Sequence, residues 1–142
     1  MKTHFKSDIS KFLQQLEQAG ILTGVTAEEE LRRSLDEIEK ESLNQVPRDT
    51  QTLANSIYTE MDVVGGIVRG AVGYGRGDPI NPKNGKKVSE YVLKVHEDLT
   101  VIHPIGKAKF LEDPTRAQRA LLIERYGAKI HRGLRATFRK GV

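Results

Sequence analysis

Apolar residues return every three or four positions in SDISKFLQQLEQAG, where Ile9, Phe12, Leu13, Leu16 and Ala19 share one side of a helix. Gly20 is a natural terminator for it, and ILTG separates it from a second helical pattern. In TAEEELRRSLDEIEKESLNQV, Thr26 and Glu29 have capping-box spacing, while Leu31, Leu35, Ile38 and Ser42 line one face. The opposite face is charged, so a surface helix against a core is expected. Pro47 ends that helix. Asp49 or Thr50 is expected to cap a short turn near Gln51, with Leu53 and Ile57 turned inward. VPRDTQTLANSI, residues 46–57, therefore reads as a joint between a helix and a strand.

Beyond the joint the period falls to two. SIYTEMDVV and GIVRGAVGYG carry β-branched and aromatic residues on both sides of Gly65-Gly66, which predicts a hairpin. RGDPINPKNGKKVS is polar and rich in turn formers, and reads as an exposed excursion over residues 76–90 that a neighbour would order. EYVLKVHED predicts a short helix with Tyr91, Val92, Val95 and Leu99 buried, LTVIHPIG an extended run, and KAKFLE a further strand. Asp113-Pro114 then opens the last helix, with Asp113 as cap and Pro114 in the first turn. Ile123, Tyr126, Ile130, Leu134 and Phe138 form its apolar stripe, and Arg125, Lys129, Arg132, Arg135 and Arg139 fall on the other side. Gly127 lies on the apolar side, where close packing would explain it. The fold expected is α/β in the α+β sense: one domain, with a small antiparallel sheet between long flanking helices. Residues 1–25 would be an N-terminal helical extension and residues 26–142 the body.

Composition narrows the class. The 142 residues are 37% hydrophobic and 30% charged, a soluble balance. No apolar run approaches the ~20 residues needed to span a bilayer, and MKTHFKSDIS lacks the apolar centre of a secretory signal. Cysteine is absent, which excludes disulfides, thiolate catalysis and cysteine-ligated zinc, and is compatible with a reducing cytosol. The net charge of +4 is unevenly placed. Residues 26–45 hold seven acids against three bases, and residues 116–142 eight bases against one acid. Such polarity suits nucleic-acid binding or the orientation of neighbouring subunits.

Candidate chemistry changes this picture little. Thr50 and Ser56 have no nearby histidine and no nucleophile-elbow glycines. His96, Glu97 and His103 are the one group resembling metal ligands. Their spacing is not HExxH, and neighbouring helix positions diverge, so ordinary polar contacts are expected. Tyr74-Gly75-Arg76-Gly77 is not a phosphate loop, and Arg76-Gly77-Asp78 is too short to mark an adhesion module. Neither catalysis nor a cofactor or metal has support. The residues left to face a partner or DNA are Arg76, Lys83, Lys86, Lys87, Arg125, Lys129, Arg132, Arg135 and Arg139.

Three stretches in order carry a resemblance. Pro47, Asp49, Thr50, Leu53 and Ser56-Ile57 match a proline and Asp-Thr-Gly-x-Leu-like turn before Ser-Ile. Tyr91, His96 and Glu97 match an aromatic-led segment ending in His-Glu, and Lys109, Phe110, Leu111 and Glu112 match a Lys-Phe-Leu-Glu-like entry to the final helix. From about residue 26 to 138 the chain resembles the tail-completion and minor-capsid (head–tail joining) proteins at the neck of tailed bacteriophages. Gln51 departs from the pattern, where glycine is usual. The resemblance implies a compact α/β body without enzymatic activity, a virion protein assembled in the host cytoplasm, and a homo-oligomeric connector ring at the neck. Its implied neighbours are portal or adaptor proteins and tail-terminator or tail-tube proteins, with nonspecific contact to enclosed DNA and none to membrane. Read on basicity alone, the chain would instead be a nonspecific nucleic-acid-binding module using its C-terminal helix.

Overall fold

The computed structural model describes residues 2–101, 103 and 105–139, with side chains from residue 11 onward. A helix α1 spans Lys2–Gln45, a short α2 Thr52–Asn55, strands β1 and β2 Ile57–Val64 and Ile67–Tyr74, helix α3 Val88–Glu97, and helix α4 Glu112–Arg139. The two strands pair antiparallel, from Ile57 opposite Tyr74 to Val64 opposite Ile67. Gly65 and Gly66 close them with φ of 58° and 77°, the left-handed pair a tight two-residue hairpin needs. This is the α+β architecture expected: a small antiparallel sheet with long flanking helices, in one domain.

The first helix differs from the sequence reading. It does not stop at Gly20 but runs 44 residues, about 66 Å at 1.5 Å per residue. Glycine inside a helix costs about 1 kcal/mol, which packing can outweigh. Here α4 lies alongside: a Cβ on Gly133 would stand 2.3 Å from Leu22 Cδ2, so the helices meet where a larger residue would hold them apart. Thr26 is buried on this interface rather than capping a new helix, and Thr23 Oγ1 donates to the Gly20 carbonyl at 2.8 Å. Gly127, by contrast, faces open space. Gly127→Ala is therefore expected to raise stability by roughly 0.5–1 kcal/mol through helix propensity, and Gly133→Ala to lower it by about 1 kcal/mol or more through overpacking. Paired urea titrations check the opposite signs.

The core sits where α1 ends. Val46, Leu53, Ala54, Val88 and Phe110 are buried together, with Tyr74, Tyr91, Val92 and Val95 packed around them. Tyr74 and His96 meet the Phe110 ring edge-on, at centroid distances of 5.2 and 5.0 Å. The Ser42 hydroxyl hydrogen-bonds the Tyr74 hydroxyl at 2.7 Å, fixing α1 to the base of the hairpin. Burial raises the Tyr74 phenol to a pKa of about 12, against the smaller lowering effect of that hydrogen bond.

The joint at residues 46–57 is built differently from the expected cap. No side chain caps α2. Asp49 reaches Lys83 instead, and Gln51 takes φ of 66°, the left-handed conformation that glycine adopts most cheaply. Ser56 is a brace: its hydroxyl donates to the Leu53 carbonyl at 2.7 Å and accepts from the Gly75 amide at 3.0 Å. The excursion ends at Lys87, where α3 begins. Asn81 is buried within it, a bridge pairs Ile80 with Lys87, and Asp78 accepts from the amide and hydroxyl of Ser89. Leu99 is 76% exposed rather than buried, because α3 has ended and the chain turns away at Asp98.

KAKFLE forms no strand. Lys109 has φ of 59° and its amide donates to the His96 carbonyl, turning the chain tightly into α4. Asp113 does not cap that helix: its amide donates to the Lys109 carbonyl, and its carboxylate pairs with Lys107 at 2.8 Å. Ile102 and Pro104, within the run read as extended, and Lys140 lie outside the described residues. Among the described residues, no helix is long and apolar enough to cross a membrane.

Candidate functional site

The charged residues assigned to a partner-facing surface divide into two sets. Arg125 and Lys129 reach Glu30 on α1, Arg125 largely covered and Lys129 with 40% of its side chain still exposed. Arg125 Nε donates to Glu30 Oε2 at 2.9 Å and its Nη2 to Ser34 Oγ at 2.9 Å, and Lys129 pairs with Glu30 Oε1. Glu30 is 1% exposed. The physical reason is the contact line between the long helices. With Gly133 against Leu22, the side of α4 toward α1 carries Arg125 and Lys129, and Ile123 rotates to 65% exposure. The Lys129 hydrogen bond holds the Glu30 carboxyl below its ordinary value, opposed by burial and assisted by Arg125.

The second set remains outward. Arg132, Arg135 and Arg139 are exposed and form no ion pair among the described residues. Lys86 and Lys87 are exposed on the excursion. Arg76 meets Glu60 at 3.3 Å and lies 5.6 Å from the centroid of the Tyr58 ring. Lys83 is tied to Asp49 at 2.9 Å. The basic surface is thus a short stripe near the end of α4 plus isolated lysines, not one continuous groove.

A third cluster was only half legible. His96 and Glu97, expected to diverge, hydrogen-bond at 2.7 Å at the end of α3. The fold adds Glu112, so that ligand-type atoms of the three residues lie within 4.8 Å of one another. A cation already occupies the middle: the Lys109 ammonium pairs with Glu112 at 2.8 Å and with Glu97. Lys109 holds the Glu97 carboxyl below its ordinary value, helped by His96, and Glu112 raises the ammonium in turn, helped by Glu97. A metal ion would have to displace this lysine. The arrangement clamps the end of α3 to the start of α4.

Large apolar side chains remain uncovered in several places. On α1 they are Phe12, Leu13, Leu16, Ile21 and Val25, at 47–61% exposure, and at the hairpin tip Val63, Val64 and Ile67. Helical spacing places Phe12 and Leu16 on the α1 face that meets α4 further along. Antiparallel packing from the Leu22–Gly133 contact brings Arg139, the last described residue of α4, level with about residue 16. Among the described residues, no hydroxyl stands beside a histidine in a nucleophilic arrangement. No family model matches the chain, and neither a curated protein nor a solved structure does.

Proposed function

We propose that the chain is a non-enzymatic structural subunit that completes its burial by assembly, forming a connector ring at the neck of a tailed bacteriophage between portal and tail. The observation that carries the assembly reading is the set of bare apolar side chains on α1, Phe12, Leu13 and Leu16 among them, and at the hairpin tip. Contiguous uncovered apolar surface of this kind marks contact sites. The ordered motifs around Pro47, Tyr91 and Lys109 point to the neck in particular. The partners are further copies of the chain, portal or adaptor proteins, and tail-terminator or tail-tube proteins.

The competing reading, a nonspecific nucleic-acid-binding module, loses ground because Glu30 consumes two of the five α4 cations assigned to phosphate. Nonspecific affinity scales with the number of phosphates neutralised. At one fixed salt concentration, the isolated chain is expected to bind duplex DNA weakly and portal or tail components more tightly. Electron microscopy of purified particles decides the location: density for the chain at the neck is expected. Its absence from particles, together with strong sequence-independent DNA binding, would favour the nucleic-acid module.

A further inference from the structure

The chain has four asparagines, and they differ in the residue that follows. Asn44 precedes Gln45 inside α1, Asn55 precedes Ser56, and Asn81 precedes Pro82, which has no amide proton to lose. Asn84 precedes Gly85, where a Cβ would meet nothing within 4 Å. Asn84, Gly85 and Lys86 are all exposed, so water and hydroxide reach them. An unhindered main-chain nitrogen next to a side-chain amide is the pairing in which the first attacks the second most readily.

The reaction needs only base and water. Once its proton is removed, the Gly85 nitrogen adds to Asn84 Cγ. The new C–N bond closes a five-membered imide, the Cγ–Nδ2 bond breaks, and the side-chain amide leaves as ammonia. Water then opens the imide at one of its two carbonyls. Opening at Cγ leaves aspartate, and opening at the main-chain carbonyl leaves isoaspartate, with the chain running through the side chain. Nothing is oxidised or reduced.

The fold holds both reacting groups elsewhere. The Gly85 amide donates to the Asn81 carbonyl at 2.8 Å, and an amide bonded in this way gives up its proton only when the bond opens. Asn84 Oδ1 accepts from the Lys86 amide at 2.9 Å, a side chain bound to the backbone two residues on. Asn81, buried, anchors the other end of the turn. Its amide donates to the Lys86 carbonyl at 2.8 Å, and its Oδ1 accepts from the Lys83 amide at 2.9 Å. Attack on Asn84 therefore requires this turn to open.

We propose that Asn84 is a site of spontaneous deamidation which the closed turn holds back, so that the modification records how long the excursion has stood open. The isoaspartate product carries one extra main-chain carbon between residues 84 and 85, and the Gly85–Asn81 and Asn81–Lys86 bonds lose their register. Either product adds a carboxylate between Lys83 and Lys86 in the sequence. The site does not rest on the neck assignment, since it is tested on the isolated full-length chain.

The test incubates that chain, folded and in urea, at one pH and temperature, and follows the proteolytic peptide containing Asn84 by mass spectrometry. In urea, aspartate and isoaspartate products are expected at Asn84 well before any at the other asparagines. The folded protein should deamidate at least about tenfold more slowly, because two or more hydrogen bonds worth a factor of about five each must open. Exchange of the Gly85 amide in two-dimensional ¹⁵N spectra should be slowed by a similar factor, since both reactions pass through the same opening. Pro82→Gly, at an exposed position, should speed deamidation of the folded protein about two- to fivefold by favouring the open chain. It should leave the rate in urea unchanged. The purified isoaspartate product should lose exchange protection at the Asn81 amide. If Pro82→Gly disturbs the fold, the match between Gly85 exchange and deamidation decides alone. Equal rates in folded and unfolded protein, no product in urea, or slow deamidation beside fast Gly85 exchange would each overturn the proposal.

Discussion

Replacing Phe110 with alanine is expected to cost about 3–5 kcal/mol, the range for emptying a fully buried aromatic site. The side chain is 0% exposed and touches three separate parts of the fold. Tyr74 brings the end of the hairpin, His96 the end of α3, and the cluster around Val46 and Leu53 the joint after α1. The cluster is small, so few neighbours can collapse into the space. Domains of this size have about 5–15 kcal/mol of stability in all, and the variant would lose a large part of it. Phe110→Leu, which keeps most of the volume, is expected to cost roughly 1–2 kcal/mol. Urea denaturation checks both, with the midpoint shifting while the slope stays constant. A loss below about 1 kcal/mol for the alanine variant would mean that the core is centred elsewhere.

Glu30→Gln is expected to destabilise by about 2–3 kcal/mol, with little change in side-chain shape. Removing one partner of a buried ion pair strands the other charge, and here two are stranded, Arg125 and Lys129. The value falls below the extreme for such sites because Lys129 keeps 40% of its side chain exposed. The triple variant Glu30→Leu, Arg125→Met, Lys129→Met should recover most of the loss, since it leaves no charge unpaired. The pH dependence has a definite sign. The folded carboxyl titrates below its ordinary value of 4.5, so its stabilisation is fully present above that pH. It disappears as pH falls through the folded value. Wild type and Glu30→Gln should therefore differ most near neutrality and converge in acid, which denaturation midpoints from pH 3 to 7 will show. A constant difference across that range would mean that Glu30 is not the charged centre of the interface. A weakened Glu30 contact would also loosen the alignment of α1 on α4, and with it the part of α1 around Phe12 proposed for assembly.

Local patterns in the chain were enough for the hairpin, the short α3 and the approximate reach of α4. Each depends on near neighbours: alternating β-branched residues around Gly65-Gly66, apolar residues three and four apart, a proline at a first turn. They were also enough for the α+β class. Tertiary structure decided what depends on distant partners. The glycine at position 20 reads as a stop, yet the helix passes through it because α4 packs along the same length. Arg125 and Lys129 read as a solvent face, since the carboxylate that draws them inward lies 95 residues from Arg125 in the chain. Glu112 joins His96 and Glu97 only through the left-handed turn at Lys109. Periodicity reports which side of an element is apolar. Which charges that side can also bury is set by the partner it meets.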